Sequence, residues 1–268
     1  MQYEGVLTKM LTEFGKPIQY YLTIGGSFLN MNQLLGREVL LQWLAYKCLS
    51  CEKNKKIWRQ GFCYDCFSSN PAAGQWIIQP ELSTAHLGIA DRDLAYESQA
   101  QLQPHIVYLA LCSDVKVGVT KKSQVPTRWI DQGASKALQV IEVPNRYLAG
   151  ISEVALKEFY TDKTNWKKML LNEQLAADLT IEYRKAVSHL PSEVQPYLSD
   201  DTPEIIELQY PLLSIPAKAN TLYLDKTQHY SGLLIGIRGQ YLIFDDGVVF
   251  NIRNAEGNVV SINTGKNL

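Results

Sequence analysis

The sequence predicts an α+β protein assembled from several small parts. Three observations carry that expectation. Runs rich in aromatic and branched residues stand at both ends of the chain, four cysteines form two C-x2-C pairs, and the middle alternates strand-like with helix-like stretches. The 268 residues, 46% of them hydrophobic, give ample material for buried cores. An aromatic content of 10% excludes a disordered chain. With 26 basic and 27 acidic residues, net charge cannot drive binding to nucleic acid, which leaves only a local basic face for that task. No apolar run approaches the ~20 residues of a spanning helix. Glu4 and Glu13 interrupt the N-terminal stretch where a signal peptide would be apolar. The expected setting is cytoplasmic, without a membrane partner.

Residues 1–47 contain IQYYLTI, SFLNMNQ and VLLQWLAYK, which read as an N-terminal β-meander. Residues 48–103 follow as a zinc knuckle and connector. Cys48, Cys51, Cys63 and Cys66 have the spacing C-x2-C-x11-C-x2-C, which lets four thiolates close a tetrahedron around a structural zinc ion. Two disulfides are the bland alternative, disfavoured by the odd cysteine count and the expected compartment. Cys112, inside VYLALC, reads as a buried small residue. Between the knuckles, Lys55, Lys56 and Arg59 surround Trp58, so this loop either grips a phosphate backbone or is an ordinary solvated surface. From 67 to 103 turn signals dominate, and little regular structure is expected.

Residues 104–190 read β-β-α-β-α-α. HIVYLALC and VKVGVT form a hairpin, VPTRWIDQGAS a helix stopping at Gly133, and ALQVIEVP a third strand. RYLAGISEVALKEFY and LNEQLAADLTIEYRKAV have helical spacing, the second with Leu171, Leu175, Leu179 and Tyr183 at every fourth position. Residues 191–207 carry three prolines, five acids and no Lys or Arg, and read as an acidic linker or an acidic surface segment. Residues 208–268 return to strands (TLYLD, YSGLLIGI, GQYLIFD, VVFNIR, NVVSIN) and predict a small barrel or open sheet that pairs with the N-terminal strands or stands alone.

The run VYLALCSDVKVGVTKKSQVPTRW, with Glu153 further on, resembles the GIY-YIG nuclease core. The whole chain, with TRWIDQGA and GIRGQYLIFDDG, is similar to an uncharacterised bacterial family, a domain of unknown function. The resemblance implies a GIY-YIG-like domain over 104–190 and metal-dependent phosphodiester hydrolysis. In it Tyr108 orients or deprotonates water, Arg128 clamps phosphate, and Glu153 holds a Mg²⁺ or Mn²⁺ ion. Lys116 stands where the second motif has tyrosine, and Gln132 where a histidine is common. Lys116 is then a phosphate contact, and Lys121, Lys122 and Gln132 line the nucleic-acid path. Tyr147 and His105 are the candidate replacements for the lost bases. Three functions follow as expectations: an endonuclease on DNA or RNA, an inactive nucleic-acid-binding relative of one, or a protein-interaction scaffold. His86 has no evident ligand partners in the sequence, so a second zinc site is not expected.

Overall fold

Branched and aromatic residues make strands of much of residues 2–46, and these divide between two sheets in the computed structural model, which describes residues 1–265. Strand β1 (Gln2–Val6) stands apart from β2 (Leu11–Glu13), β3 (Gln19–Ile24) and β4 (Ser27–Asn30), which form an antiparallel three-stranded meander. The expected meander is therefore confined to residues 11–30, because β5 (Glu38–Tyr46) leaves it to join a larger sheet. Beyond the first cysteine pair, β6 (Ile57–Arg59) and β7 (Phe62–Cys63) form a short hairpin, followed at once by helix α1 (Tyr64–Ser69).

The connector is more ordered than its turn signals suggest. Four short 3-10 turns between Pro71 and Leu87 lead to helix α2 (Leu94–Gln101). Asp93 caps α2 by accepting from Tyr96 N–H at 2.9 Å, and Glu97 accepts from the N–H groups of Asp91, Arg92 and Asp93 at 2.8, 2.7 and 3.0 Å. Capping chemistry, in place of an apolar stripe, makes this helix.

The middle follows the expected order. Strands β8 (His105–Leu111) and β9 (Val115–Lys121) form the hairpin, helix α3 (Thr127–Asp131) follows, and β10 (Lys136–Val143) pairs with β8. Helix α4 (Arg146–Leu156) starts at Asn145, whose side chain accepts from Leu148 N–H at 2.9 Å. After the short α5 (Trp166–Leu170) comes α6 (Leu179–Ser188). The helix expected from Leu171 begins eight residues late: Asp178 accepts from Thr180 N–H at 2.8 Å and fixes the start, leaving Leu175 exposed. Residues 191–207 are not a free linker. Val194 is fully buried, and β11 (Ile206–Glu207) adds to the edge of β10, giving the sheet order β11-β10-β8-β9. Val107, Leu109, Val117, Val119 and Leu138 pack with Ala149 and Leu156 of α4 and Leu179 and Ala186 of α6 into one core.

The C-terminal strands close the other sheet. TLYLD is a two-residue strand, β12 (Asn220–Thr221), followed by a helical turn, α7 (Leu224–Thr227). Then come β13 (His229–Arg238), β14 (Tyr241–Phe244), β15 (Val248–Asn251) and β16 (Asn258–Thr264). The order is β1-β16-β5-β13-β14-β15-β12, with β16 paired antiparallel to both β1 and β5. N- and C-terminal strands thus share one sheet, so within the described residues the strands from 208 onward are not a separate β domain, and 266–268 of the expected domain lie outside the described residues. The chain forms two compact units: one of residues 1–68, 170–172 and 209 onward, the other of 69–169 and 173–208. Among the described residues no helix is long and apolar enough to cross a membrane.

Candidate metal centre and buried cation cluster

In the first unit the turn after β5 carries Cys48 and Cys51, while β7 and α1 supply Cys63 and Cys66. The backbone is folded around the sulfurs: Cys63 N–H donates to Cys48 Sγ at 3.3 Å, and Glu52 N–H to the Cys48 carbonyl at 2.9 Å. All four sulfurs lie within 4.8 Å of one another, and Cys51 and Cys63 Sγ are 3.9 Å apart. Zinc–sulfur bonds of ~2.3 Å in a tetrahedron separate the sulfurs by about 3.8 Å, so the donor set fits zinc. Among the described residues no cysteine is in a disulfide. Burial raises the Cys48 thiol, but N–H groups of Cys51, Cys63 and Ser50 outweigh it and bring it down to about 6. Ser50 draws Cys66 down, while burial and the other three thiols push harder and leave it at about 11. Thiols that oppose each other's ionisation in this way become four thiolates when a cation sits among them.

On this hairpin Lys55 is held by Asp65 at 2.6 Å, while Lys56 and Arg59 are exposed. Trp58 and Tyr64, 56% and 63% exposed, meet edge to face at 5.6 Å. Both rings remain open to a stacking partner.

The second unit gathers the other candidates. Tyr108 is fully buried, opposite Gly118 in the hairpin register. A Cβ on Gly118 would lie 2.5 Å from the Tyr108 hydroxyl oxygen, so the ring occupies the space that glycine leaves. The hydroxyl donates to Gln132 Oε1 at 2.9 Å, and the ring leans on Trp129 of α3 at 5.9 Å. Burial pushes the Tyr108 phenol up to about 12, despite the opposing pull of the Arg128 charge and of Gln132. Tyr108 therefore stays protonated at neutral pH and is no base for water.

Lys116 shares the Tyr108 face of the hairpin, since it pairs with Ala110 two residues along. Its ammonium donates to the Asp162 carbonyl at 3.0 Å. Burial, with Arg128 nearby, lowers its pKa, against the attraction of Cys112, Glu153 and Asp162. Arg146, on the first turn of α4, joins the cluster unannounced by any motif. Its Nε and Nη2 donate to the Trp76 and Ile77 carbonyls at 3.1 and 2.8 Å, and its guanidinium lies 5.4 Å from the Trp76 ring centre. Burial brings Arg146 down to about 10, with Arg128 lowering it and Glu153 and Glu81 raising it, so it remains charged at neutral pH. Burial and Arg146 likewise lower Lys121.

Glu153 is 8% exposed; burial raises its pKa, Lys157 lowers it and Glu81 raises it again. Its Oε2 sits 3.4 Å from Lys157, which also reaches Asp162 at 3.7 Å. The cluster thus sets five cations (Lys116, Lys121, Arg128, Arg146, Lys157) against three carboxylates (Glu81, Glu153, Asp162). Among the described residues only Lys157 of the five makes an ion pair. Cations held buried or half-buried without counter-charges are costly, and an anion would relieve them.

Tyr108, Lys116, Arg128, Gln132 and Glu153 come together, then, from two strands and two helices. The expected Mg²⁺ or Mn²⁺ does not fit this arrangement. Glu153 is a single carboxylate already held by Lys157, and burial raises its pKa, whereas a hard cation is ordinarily held by several oxygen ligands. Lys122 is exposed and paired with Glu142 at 2.9 Å, outside the cluster. The candidate replacement bases are engaged elsewhere. Tyr147 stacks on His86 at 4.4 Å, and burial holds His105 down at about 4.

Arg146 and Glu81 escaped the sequence reading. The available signal for Arg146 was its place: a cation on the first turn of a helix opposes the macrodipole and needs a reason. Glu81 lay in the connector, where Gly150 lets it approach. A Cβ on Gly150 would come 2.2 Å from the Glu81 nitrogen.

A family model described as "Protein of unknown function (DUF2797)" matches residues 36–260. No curated protein and no solved structure matches the chain.

Proposed function

We propose that this chain, which belongs to the DUF2797 family of proteins of unknown function, binds nucleic acid through its phosphate backbone, with zinc as a structural staple. The observation that carries this reading is the surplus of positive charge at buried Lys116 and half-buried Lys121, Arg128 and Arg146. Guanidinium groups bind phosphate oxygens bidentately, and Lys116 adds a point charge. The exposed pair Trp58 and Tyr64, with Lys56 and Arg59 in the same segment, offers a stacking contact for an unpaired base.

Hydrolysis ranks second. It is favoured by the carboxylate, guanidinium and phenol that gather from three elements, and opposed by the protonated Tyr108 and the engaged Glu153. Purified protein is titrated against labelled single-stranded, duplex and branched DNA and RNA, read by fluorescence anisotropy, with parallel incubation in Mg²⁺ or Mn²⁺. Binding that weakens as salt rises, without cleavage, supports the first reading. Cleavage lost in Glu153→Gln transfers the case to the second, and absence of binding at low salt rejects both.

A further inference from the structure

The connector lays two 3-10 turns, Gln75–Ile77 and Pro80–Leu82, against the first half of α4, all within the second unit. This strap takes hold of a cation that the phosphate reading needs. Arg146 donates to the Trp76 and Ile77 carbonyls at 3.1 and 2.8 Å, and its guanidinium lies 5.4 Å from the Trp76 ring centre. Glu81 sits in the second turn, and its charge, like that of Glu153, attracts the same guanidinium. Carbonyl and carboxylate oxygens thus take up donors that would otherwise meet phosphate oxygens. The helix makes room for them: a Cβ on Gly150 would stand 2.2 Å from the Glu81 nitrogen and 2.4 Å from the Pro80 carbonyl carbon.

Closing the strap has a cost. The Trp76 indole N–H and Glu81 Oε2, both on the strap, are buried with no hydrogen-bond partner among the described residues. Such atoms destabilise the state that buries them, and water would satisfy both once the strap lifts. The strap's backbone is held mostly by itself. Ile77 N–H donates to the Gly74 carbonyl, Ile78 and Gln79 N–H to Gln75, Leu82 N–H to Gln79 and Ser83 N–H to Pro80. Lifting breaks none of these bonds directly, although 3-10 turns deprived of packing are weak and fray. We propose that the strap is an autoinhibitory element: when closed, its oxygens hold Arg146, and a nucleic-acid phosphate must displace them to bind. The inference rests on the nucleic-acid reading and adds its regulation.

The test uses the full chain, with anisotropy of labelled single-stranded and duplex DNA and RNA, and hydrogen–deuterium exchange read by mass spectrometry. Gly150→Ala changes no charge and lies inside α4 without positive φ, where alanine favours the helix, while its methyl pushes the strap away. It is expected to bind about tenfold tighter than the parent, the gain when the open state rises from roughly a tenth of the molecules to most of them. In the parent, peptides covering 75–83 are expected to exchange faster with nucleic acid bound than without it. A strap that only supports the fold gives the opposite. Gly150→Ala then binds equally or more weakly, or 75–83 exchanges no faster in the complex. Either result, with the parent binding, overturns the strap and leaves the nucleic-acid reading standing. No binding by either protein at low salt rejects that reading and the strap with it. If Gly150→Ala does not fold, exchange in the bound parent decides alone.

Discussion

Replacing Gly118 by alanine tests the packing on which the second unit's site rests. Gly118 lies in a strand without positive φ, where alanine ordinarily stabilises by about 0.5–1 kcal/mol relative to glycine. Here the added methyl would stand 2.5 Å from the Tyr108 hydroxyl oxygen and 2.7 Å from its Cζ. Tyr108 is fully buried and cannot swing aside without repacking Trp129 and breaking its bond to Gln132. Overpacking of this kind costs about 1–3 kcal/mol, and the loss of this part-buried hydrogen bond adds about 1 kcal/mol. The net expectation is destabilisation by about 2 kcal/mol, after allowing for the strand preference. Urea unfolding followed by tryptophan fluorescence measures it. Because the clash is with one ring, the cost should shrink by more than half in a Tyr108→Leu background, a non-additive pair. Equal stability of Gly118→Ala and the parent, or full additivity with Tyr108→Leu, would refute the reasoning.

Three further predictions concern charge and metal. Protein purified without chelator should carry one zinc per chain by elemental analysis, and Cys63→Ser should lose it together with the cooperative unfolding of the first unit. His105 is fully buried with a folded pKa of about 4 against an ordinary 6.5, so it is kept neutral. A group depressed in the folded state favours folding above 6.5, and that contribution is lost as pH falls from 6.5 to about 4; it amounts to roughly 3 kcal/mol. His105→Gln should flatten the pH dependence of urea midpoints across that window, and an unchanged slope contradicts the assignment. Glu153→Gln removes a negative charge from a cation-rich cluster, so backbone binding should hold or tighten, as anisotropy would show. A loss of binding would identify Glu153 as a ligand holder.

Much of the second unit was legible in the sequence because local signals and tertiary structure agreed there. The hairpin at 105–121, the α3 helix and the Asn145-capped α4 each had their own strand pattern, stop or cap. The zinc spacing was equally plain, since four sulfurs at that interval have few other uses. Misreadings arose where one signal masked another. The four-residue leucine spacing from Leu171 looked helical, but the Asp178 cap decided the start. Sheet membership was less legible, because strand pattern does not name a partner. TLYLD and β5 show that alternation yields strands, or fails to, according to what lies alongside. In the site, Tyr108 and Arg128 were found by motif, whereas Arg146 and Glu81 arrive through contacts between α4 and the turn at Pro80–Leu82, which no linear spacing records.

The measurement closest to the central claim is the salt dependence of nucleic-acid affinity for the parent chain and for Arg128→Gln. If the second unit's cations grip phosphates, the plot of log affinity against log salt is steep, and Arg128→Gln weakens binding while flattening the slope by about one. A slope near zero in the parent, or one that Arg128→Gln leaves unchanged, would mean that those charges serve the fold alone.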